Sequence, residues 1–159
     1  MNNQEMIITL WFDDQAEEAA QFYTSIFERS KILQTTYYNK EGQEIHGQPE
    51  GKVMTVDFTL NNMHFTALNG GPQFQFNEAI SILVHCDTQK EIDHYWKKLT
   101  AGGSEGPCGW LTDKFGISWQ IVPKILSKLL SESSQKKAEC VTATFMKMKK
   151  IDIKKLKEA

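Results

Sequence analysis

Apolar side chains recur along this chain in two rhythms, one near three and a half residues and one of two, and each marks a kind of element. Met6 to Phe12 is short, apolar and β-prone, and predicts a strand. Ala16, Ala19, Ala20, Tyr23, Ile26 and Phe27 follow at helical spacing. Ahead of them, Asp14-Gln15-Ala16-Glu17 reads as a carboxylate N-cap with a glutamate three residues on. Strands are predicted over Lys31 to Tyr38, Val53 to Leu60 and Met63 to Asn69. Asn61-Asn62 joins the last two, because asparagine tolerates the positive φ of a tight hairpin. Residues Asn39 to Gly51 are charged, carry Gly and Pro, and read as an exposed loop.

The same order then begins again. Ala79 to Cys86 predicts a strand, and Thr88-Gln89-Lys90-Glu91 a capping box. Ile92, Tyr95, Trp96 and Leu99 form a helical stripe, closed by Gly102-Gly103 at a C-cap. Short strands are expected near Ser104 to Trp110. A shift of 73 lays Asp14 on Asp87, Glu18 on Glu91, Ala19 on Ile92, Phe22 on Tyr95, Tyr23 on Trp96 and Ile26 on Leu99. Six such pairs within matching β-α-β-β-β orders imply an internal duplication. Beyond Pro123, which suits a first helical position, Ile125, Leu126, Leu129 and Leu130 make one stripe. Ser131 to Ser134 is a break, and Ala138, Val141, Phe145 and Met148 make another stripe, expected to pack on a partner chain. The lysines Lys147, Lys149 and Lys150 read as a solvated helix end.

Composition narrows the class. The 159 residues are 40% hydrophobic, enough for a real core, and a net charge of −2 gives no electrostatic case for nucleic acid. No apolar run approaches the roughly 20 residues that span a bilayer, and Met1 to Glu5 carries no secretory h-region. Three widely spaced cysteines, Cys86, Cys108 and Cys140, without a Cys-x-x-Cys pair, suit reduced thiols. The expectation is a soluble cytoplasmic protein with no nucleic-acid or membrane partner.

The richest stretch runs from Cys108 to Pro123. It reads as a strand, a tight turn around Asp113 to Gly116, and a second strand stopped by proline. Alternation sends Ile117, Trp119 and Ile121 to one face and Ser118, Gln120 and Val122 to the other. Gln120 is either a half-exposed edge residue or an amide needing partners in a pocket. Gly70, Gly71 and Gly116 are expected where the backbone needs positive φ or close approach.

Two β-α-β-β-β units, the second ending in Asp113-x-x-Gly116-x-x-x-Gln120, resemble the vicinal oxygen chelate superfamily, which includes glyoxalase I, bleomycin-resistance proteins, fosfomycin-resistance enzymes and extradiol dioxygenases. Within it the chain is similar to the PhnB-like branch, often labelled 3-demethylubiquinone 3-methyltransferase. The residues that carry this are Leu10-Trp11-Phe12, Ala16-Glu17-Glu18-Ala19, Phe22-Tyr23, Ala67-Leu68-Asn69-Gly70-Gly71-Pro72, Phe76 to Ser81, Cys108-Gly109-Trp110, Phe115-Gly116, Trp119 to Pro123 and Met146 to Asp152. The resemblance implies an α+β fold of two modules, about 5–72 and 78–123, whose sheets form curved half-barrels. Together they make a domain over 1–124, with a C-terminal helical extension over 125–159.

It also implies a cup that holds a small molecule, a homodimer, and metal ligands from the first and last strands of each module. Those positions fall on Gln120, on Ser81, on Ile8 by the 73-residue shift, and near His64 or Asn69, with His85 as a substitute higher on its strand. Isoleucine cannot bind a metal and serine rarely does, so a divalent metal is possible but the site reads as degenerate. The weak candidates are Gln120, His64 and His85. Strand parity places Leu10, Phe65, Asn69, Ser81, Leu83, His85 and Gln120 in the cup, with Cys108 and Trp110 at its rim, and lets Gln120 meet Ser81. Trp11 and Trp119 are expected on helix-packing faces. The functions in competition are a small-molecule-binding protein, a metal-dependent lyase, isomerase, transferase or dioxygenase-like enzyme, and the methyltransferase of the label. Gly70-Gly71 and Gly102-Gly103 lack the spacing and position of a nucleotide-binding turn, which argues against the last.

Overall fold

The computed structural model describes residues 6–131 and 134–159, so Met1 to Glu5 and part of the expected break at Ser131 to Ser134 lie outside the described residues. The chain divides after Gln75 into two compact units. In the first, β1 (Ile8–Phe12), α1 (Ala16–Ile26), β2 (Lys31–Tyr37), β3 (Val53–Leu60) and β4 (Met63–Asn69) follow the predicted order. A short α2 (Gln43–His46) lies inside the predicted loop. The sheet order is β1-β4-β3-β2, with β1 parallel to β4 and the other pairs antiparallel. Asn61 and Asn62 take φ of 47° and 67°, the conformation that a two-residue hairpin between right-twisted strands requires.

The second unit repeats the plan with β5 (Ser81–Cys86), α3 (Gln89–Leu99), β6 (Ser104–Glu105), β7 (Trp110–Thr112) and β8 (Ser118–Pro123) in the order β5-β8-β7-β6. The expected capping box is formed. The Thr88 hydroxyl accepts from Glu91 N–H, and the Glu91 carboxylate accepts from Thr88 N–H at 2.9 Å. Two β-α-β-β-β modules followed by helices are the α+β architecture expected from the sequence.

The helix start at α1 differs from its prediction. Gln15, not Asp14, is the N-cap, and no side chain of that loop caps the helix. The orphan N–H of Ala16 is instead satisfied across the sheet by Asn69 Oδ1 at 2.8 Å. The cause is one extra residue. Three residues separate β1 from α1, whereas two separate β5 from α3. The helices keep the 73-residue correspondence, with Ala19 and Ile92, Tyr23 and Trp96, and Ile26 and Leu99 all buried. The strands before them correspond by 74, since the buried pairs are Leu10 with Val84 and Phe12 with Cys86. Because side chains alternate with period two, that single residue exchanges the faces of β1.

Beyond β8, α4 (Lys124–Ser131), α5 (Gln135–Phe145) and α6 (Ile153–Glu158) belong to the second unit. Leu126, Val141, Ile151 and Leu156 form a buried cluster that also takes in Val122, Leu129, Phe145 and Met148. Val141 therefore packs in its own chain, which corrects the expectation that its stripe covers a partner. The two lysines nearest the junction are not free ends, since Lys150 pairs with Asp93 and Lys149 with Glu105.

Candidate functional site

In the first unit the buried face of the sheet lies under α1. Tyr23 stacks on Phe58 and Phe58 on Phe65, and Leu10, Phe12, Val56, Leu60, Ala67 and Asn69 are buried with them. Leu10, Phe65 and Asn69 are thus on the helix-packed side, not the side where parity placed them. For Leu10 the 73-residue shift fails across the longer β1–α1 loop, and Phe65 and Asn69 share its face because β4 pairs with β1 at Ile8–Phe65, Leu10–Ala67 and Phe12–Asn69. Asn69 is fully engaged there: its Nδ2 donates to Val53 O at 3.0 Å, and its own carbonyl accepts from the Tyr38 hydroxyl at 2.6 Å. Trp11 faces the other way, which corrects its expected helix packing. Its indole N–H donates to Gly71 O at 2.8 Å, and a Cβ on Gly70 would stand 2.2 Å from its ring. Gly70 is therefore a close approach, while Gly71 and Gly116 take φ of +94° and +91°.

The face of unit one that carries Trp11 also carries Thr9, Asp57, Thr59, His64 and Thr66, by alternation and register. Leu10 pairs with Ala67 as Val84 pairs with Ile121, so the position that corresponds to Gln120 is Thr66. Its hydroxyl donates to Asp57 Oδ1 at 2.6 Å. Neither His64 nor Asn69 holds that place.

In the second unit parity and structure agree. Val84, Cys86, Leu111, Trp119 and Ile121 are buried on the side of α3, with Ile92, Trp96 and Leu99. Trp119 lies where it was expected. The opposite face carries Ser81, Leu83 and His85 on β5, Ser118, Gln120 and Val122 on β8, and Trp110 and Thr112 on β7. The register aligns Leu83, Gln120 and Trp110 in one row and Ser81, Ser118 and Thr112 in the next. Gln120 Nε2 donates to Ser81 Oγ at 2.8 Å, the pairing anticipated from the sequence. His85 stands opposite Val122, and Val122 packs against the tail cluster, which ends the polar rows there.

A cleft of about 430 Å³ opens on the Ser81–Ser118–Thr112 end of this face. Trp110, Thr112 and Ser118 line it with Ser104, Pro107 and Glu78. Ser118 is 2% exposed, and its hydroxyl is the one buried side-chain polar atom without a hydrogen-bond partner among the described residues. A buried orphan of this kind is rare and marks a place where a polar group is missing. Cys108 is not part of the lining. It holds a positive φ of 57°, and its N–H donates to Met148 O at 2.7 Å, so it anchors the tail. Ser118, Thr112, Ser104 and Glu78 were not singled out in the sequence. The signal for Ser118 was available, since it shares the Gln120 face two residues away.

A larger cavity, about 530 Å³, lies at the starts of α3 and α6. Its polar groups already work within the fold. Gln89 bonds to Ile151 O and Ile153 N, Asp87 pairs with Lys124 at 2.7 Å, and Thr88 caps α3. Size alone does not make it the better site. Cys86 is also chemically quiet: burial pushes its thiol up to about 12, with Glu91 and Asp87 adding to the effect. It stays protonated and is no nucleophile near neutrality.

Asp113 organises the turn that presents this face. It is 3% exposed, and its carboxylate accepts from Phe115 N–H at 2.9 Å, Ile117 N–H at 3.1 Å and Trp119 Nε1–H at 2.7 Å. The Asp-x-x-Gly spacing thus has a mechanical meaning. The aspartate gathers the donors while Gly116, at positive φ, turns the chain back toward β8.

Residues 4–122 match the family model for 3-demethylubiquinone-9 3-methyltransferase. The chain belongs to this family. The PhnB protein of Bacillus cereus, described under the same methyltransferase name, is 35% identical with a TM-score of 0.65, over 76% of this chain and 99% of that one. A Pseudomonas aeruginosa protein shares the fold at 18% identity and a TM-score of 0.61, over 76% of this chain and 98% of its own. The fosfomycin resistance protein FosX of Listeria monocytogenes shares it at 14% identity and 0.55, over 80% and 97%. No curated protein matches the chain. Among the described residues no helix is long and apolar enough to cross a membrane.

Proposed function

We propose that this member of the family binds a small molecule on the Trp110–Ser118 face of its second unit and does so without a metal. The observation that carries this is the orphaned Ser118 hydroxyl beside an indole in a cleft of ligand size. The donors of that unit suit a divalent ion poorly. Ser81 and Gln120 are neutral and satisfy each other. His85 lies four residues along the strand from Ser81, about 13 Å at 3.3 Å per residue, too far to share one ion. In the first unit Asp57 is engaged by Thr66, at the position that corresponds to Gln120. Methyl transfer draws no support from the chain, whose Gly70-Gly71 and Gly102-Gly103 pairs follow β4 and α3 rather than opening a helix.

A metal-dependent enzyme is the second reading, favoured by a FosX structure of the same fold that holds Mn(II) and a dihydroxypropylphosphonic acid. Metal analysis of protein purified without a histidine tag separates the two. Far less than one equivalent of transition metal is expected, and one equivalent would overturn the metal-free reading. Ser118→Ala supplies the positive arm. Leaving a buried hydroxyl unpaired costs about 1 kcal/mol or more, so the variant is expected to melt no lower than the parent. It should also lose the fragments that shift the Trp110 indole resonance of the parent. Fragments that bind the variant equally well would remove the site.

We also propose a homodimer. Ile7, Ile8 and Leu83 are 47%, 44% and 44% exposed on the first strands or beside them, and each first strand is an edge of its four-stranded sheet. Light scattering at micromolar concentration is expected to give twice the chain mass, and a monomer would refute the pairing.

A further inference from the structure

We infer that the cleft selects a protonated amine carried on a small apolar body. This deepens the binding reading above and rests on it. The lining contains an aromatic side chain (Trp110), an apolar one (Pro107), three hydroxyls (Ser104, Thr112, Ser118) and one carboxylate (Glu78). It contains no Lys, Arg or His. Two cations lie near β6: Lys149 pairs with Glu105, which also accepts from the Trp96 indole at 2.8 Å, and Lys114 sits over the Phe115 ring at 4.8 Å. The alternation of β6 sends Glu105 away from the face of Ser104.

The indole and the carboxylate of the lining favour positive charge, and the Ser118 hydroxyl can accept a hydrogen bond from it. The indole face attracts a cation through its quadrupole. Glu78 is exposed at the mouth, and among the described residues its carboxylate has no ion-pair partner. It gives the cleft a net negative charge that draws cations and repels anions. The Ser118 hydroxyl has both lone pairs free, and an ammonium N–H would fill one of them. An anionic ligand such as a phosphonate would enter a cleft with no cation to compensate it, at a desolvation cost that nothing offsets. The apolar remainder of the lining accommodates the body of the molecule.

A matched series tests this on the full-length protein: benzylamine, benzyl alcohol and benzylphosphonate, titrated at neutral pH while the Trp110 indole N–H is followed by NMR. Benzylamine is expected to bind about tenfold tighter than the alcohol, with the phosphonate weakest. Glu78→Gln should weaken benzylamine about fivefold, the upper range for an exposed ion pair, and leave the alcohol unchanged. Ser118→Ala should weaken both. Equal binding of amine and alcohol, or preference for the phosphonate, with Ser118→Ala still weakening them, would overturn the amine selectivity and leave the site standing. No response of Trp110 to any of the three would overturn the site together with its selectivity.

Discussion

Asp113→Ala is expected to lower the stability of the protein by about 3–5 kcal/mol, read as a shift of the urea midpoint at unchanged slope. The carboxylate accepts three hydrogen bonds at 2.7 to 3.1 Å from Phe115, Ile117 and the Trp119 indole, and it is almost fully buried. Hydrogen bonds to a charged acceptor contribute about 1.5–3 kcal/mol each, and a buried donor left without a partner costs about 1–3 kcal/mol. These values are not additive, because water will reach Phe115 N–H, which is only part-buried. Trp119 is 1% exposed, so its indole N–H has no such relief. Asp113→Asn refines the test. Its amide oxygen can still accept the two turn N–H groups, but its NH₂ then faces the indole donor, so about half of the loss should remain. A change below 1 kcal/mol for Asp113→Ala would show that solvent replaces the carboxylate and that the turn holds itself.

The second large effect is expected from the tail. Ile151 and Leu156 are 0% exposed and complete the cluster with Leu126 and Val141. The backbone before them accepts from Cys108 at Met148 O and from Gly109 at Lys149 O, both at 2.7 Å, and Gln89 clamps both sides of Asp152. Ile151→Ala should cost about 2–5 kcal/mol, the range for truncating a buried aliphatic side chain. Deleting residues 147–159 should cost more and unfold the second unit, seen as lost near-ultraviolet dichroism of its tryptophans. A deletion with the same urea midpoint as the parent would show the tail to be an appendage. The family match stops at residue 122, and 76% of this chain accounts for 99% of the Bacillus cereus protein. The tail therefore lies beyond the matched segment, and its grip on the Cys108–Trp110 loop ties it to the rim of the cleft.

Local chemistry was readable in the sequence wherever a few neighbouring residues decide it. The helical stripes of α1 and α3, the Thr88–Glu91 capping box, the Asn61-Asn62 hairpin and the Asp113–Gly116 turn each depend on contacts within a few positions. The face shared by Ser81 and Gln120 also followed, since alternation is a property of the strand itself. Only the tertiary structure decided three other matters. Asn69 caps α1 from 53 positions away, which no local pattern records. One extra residue before α1 turned Leu10 under the helix and Trp11 out, because a period of two has no tolerance for a slip of one, and the β1–β4 pairing put Phe65 on the face of Leu10. The stripe at Val141 closed on its own chain because Leu126, Ile151 and Leu156 converge on it, and hydrophobic burial favours whichever partner folding brings within reach.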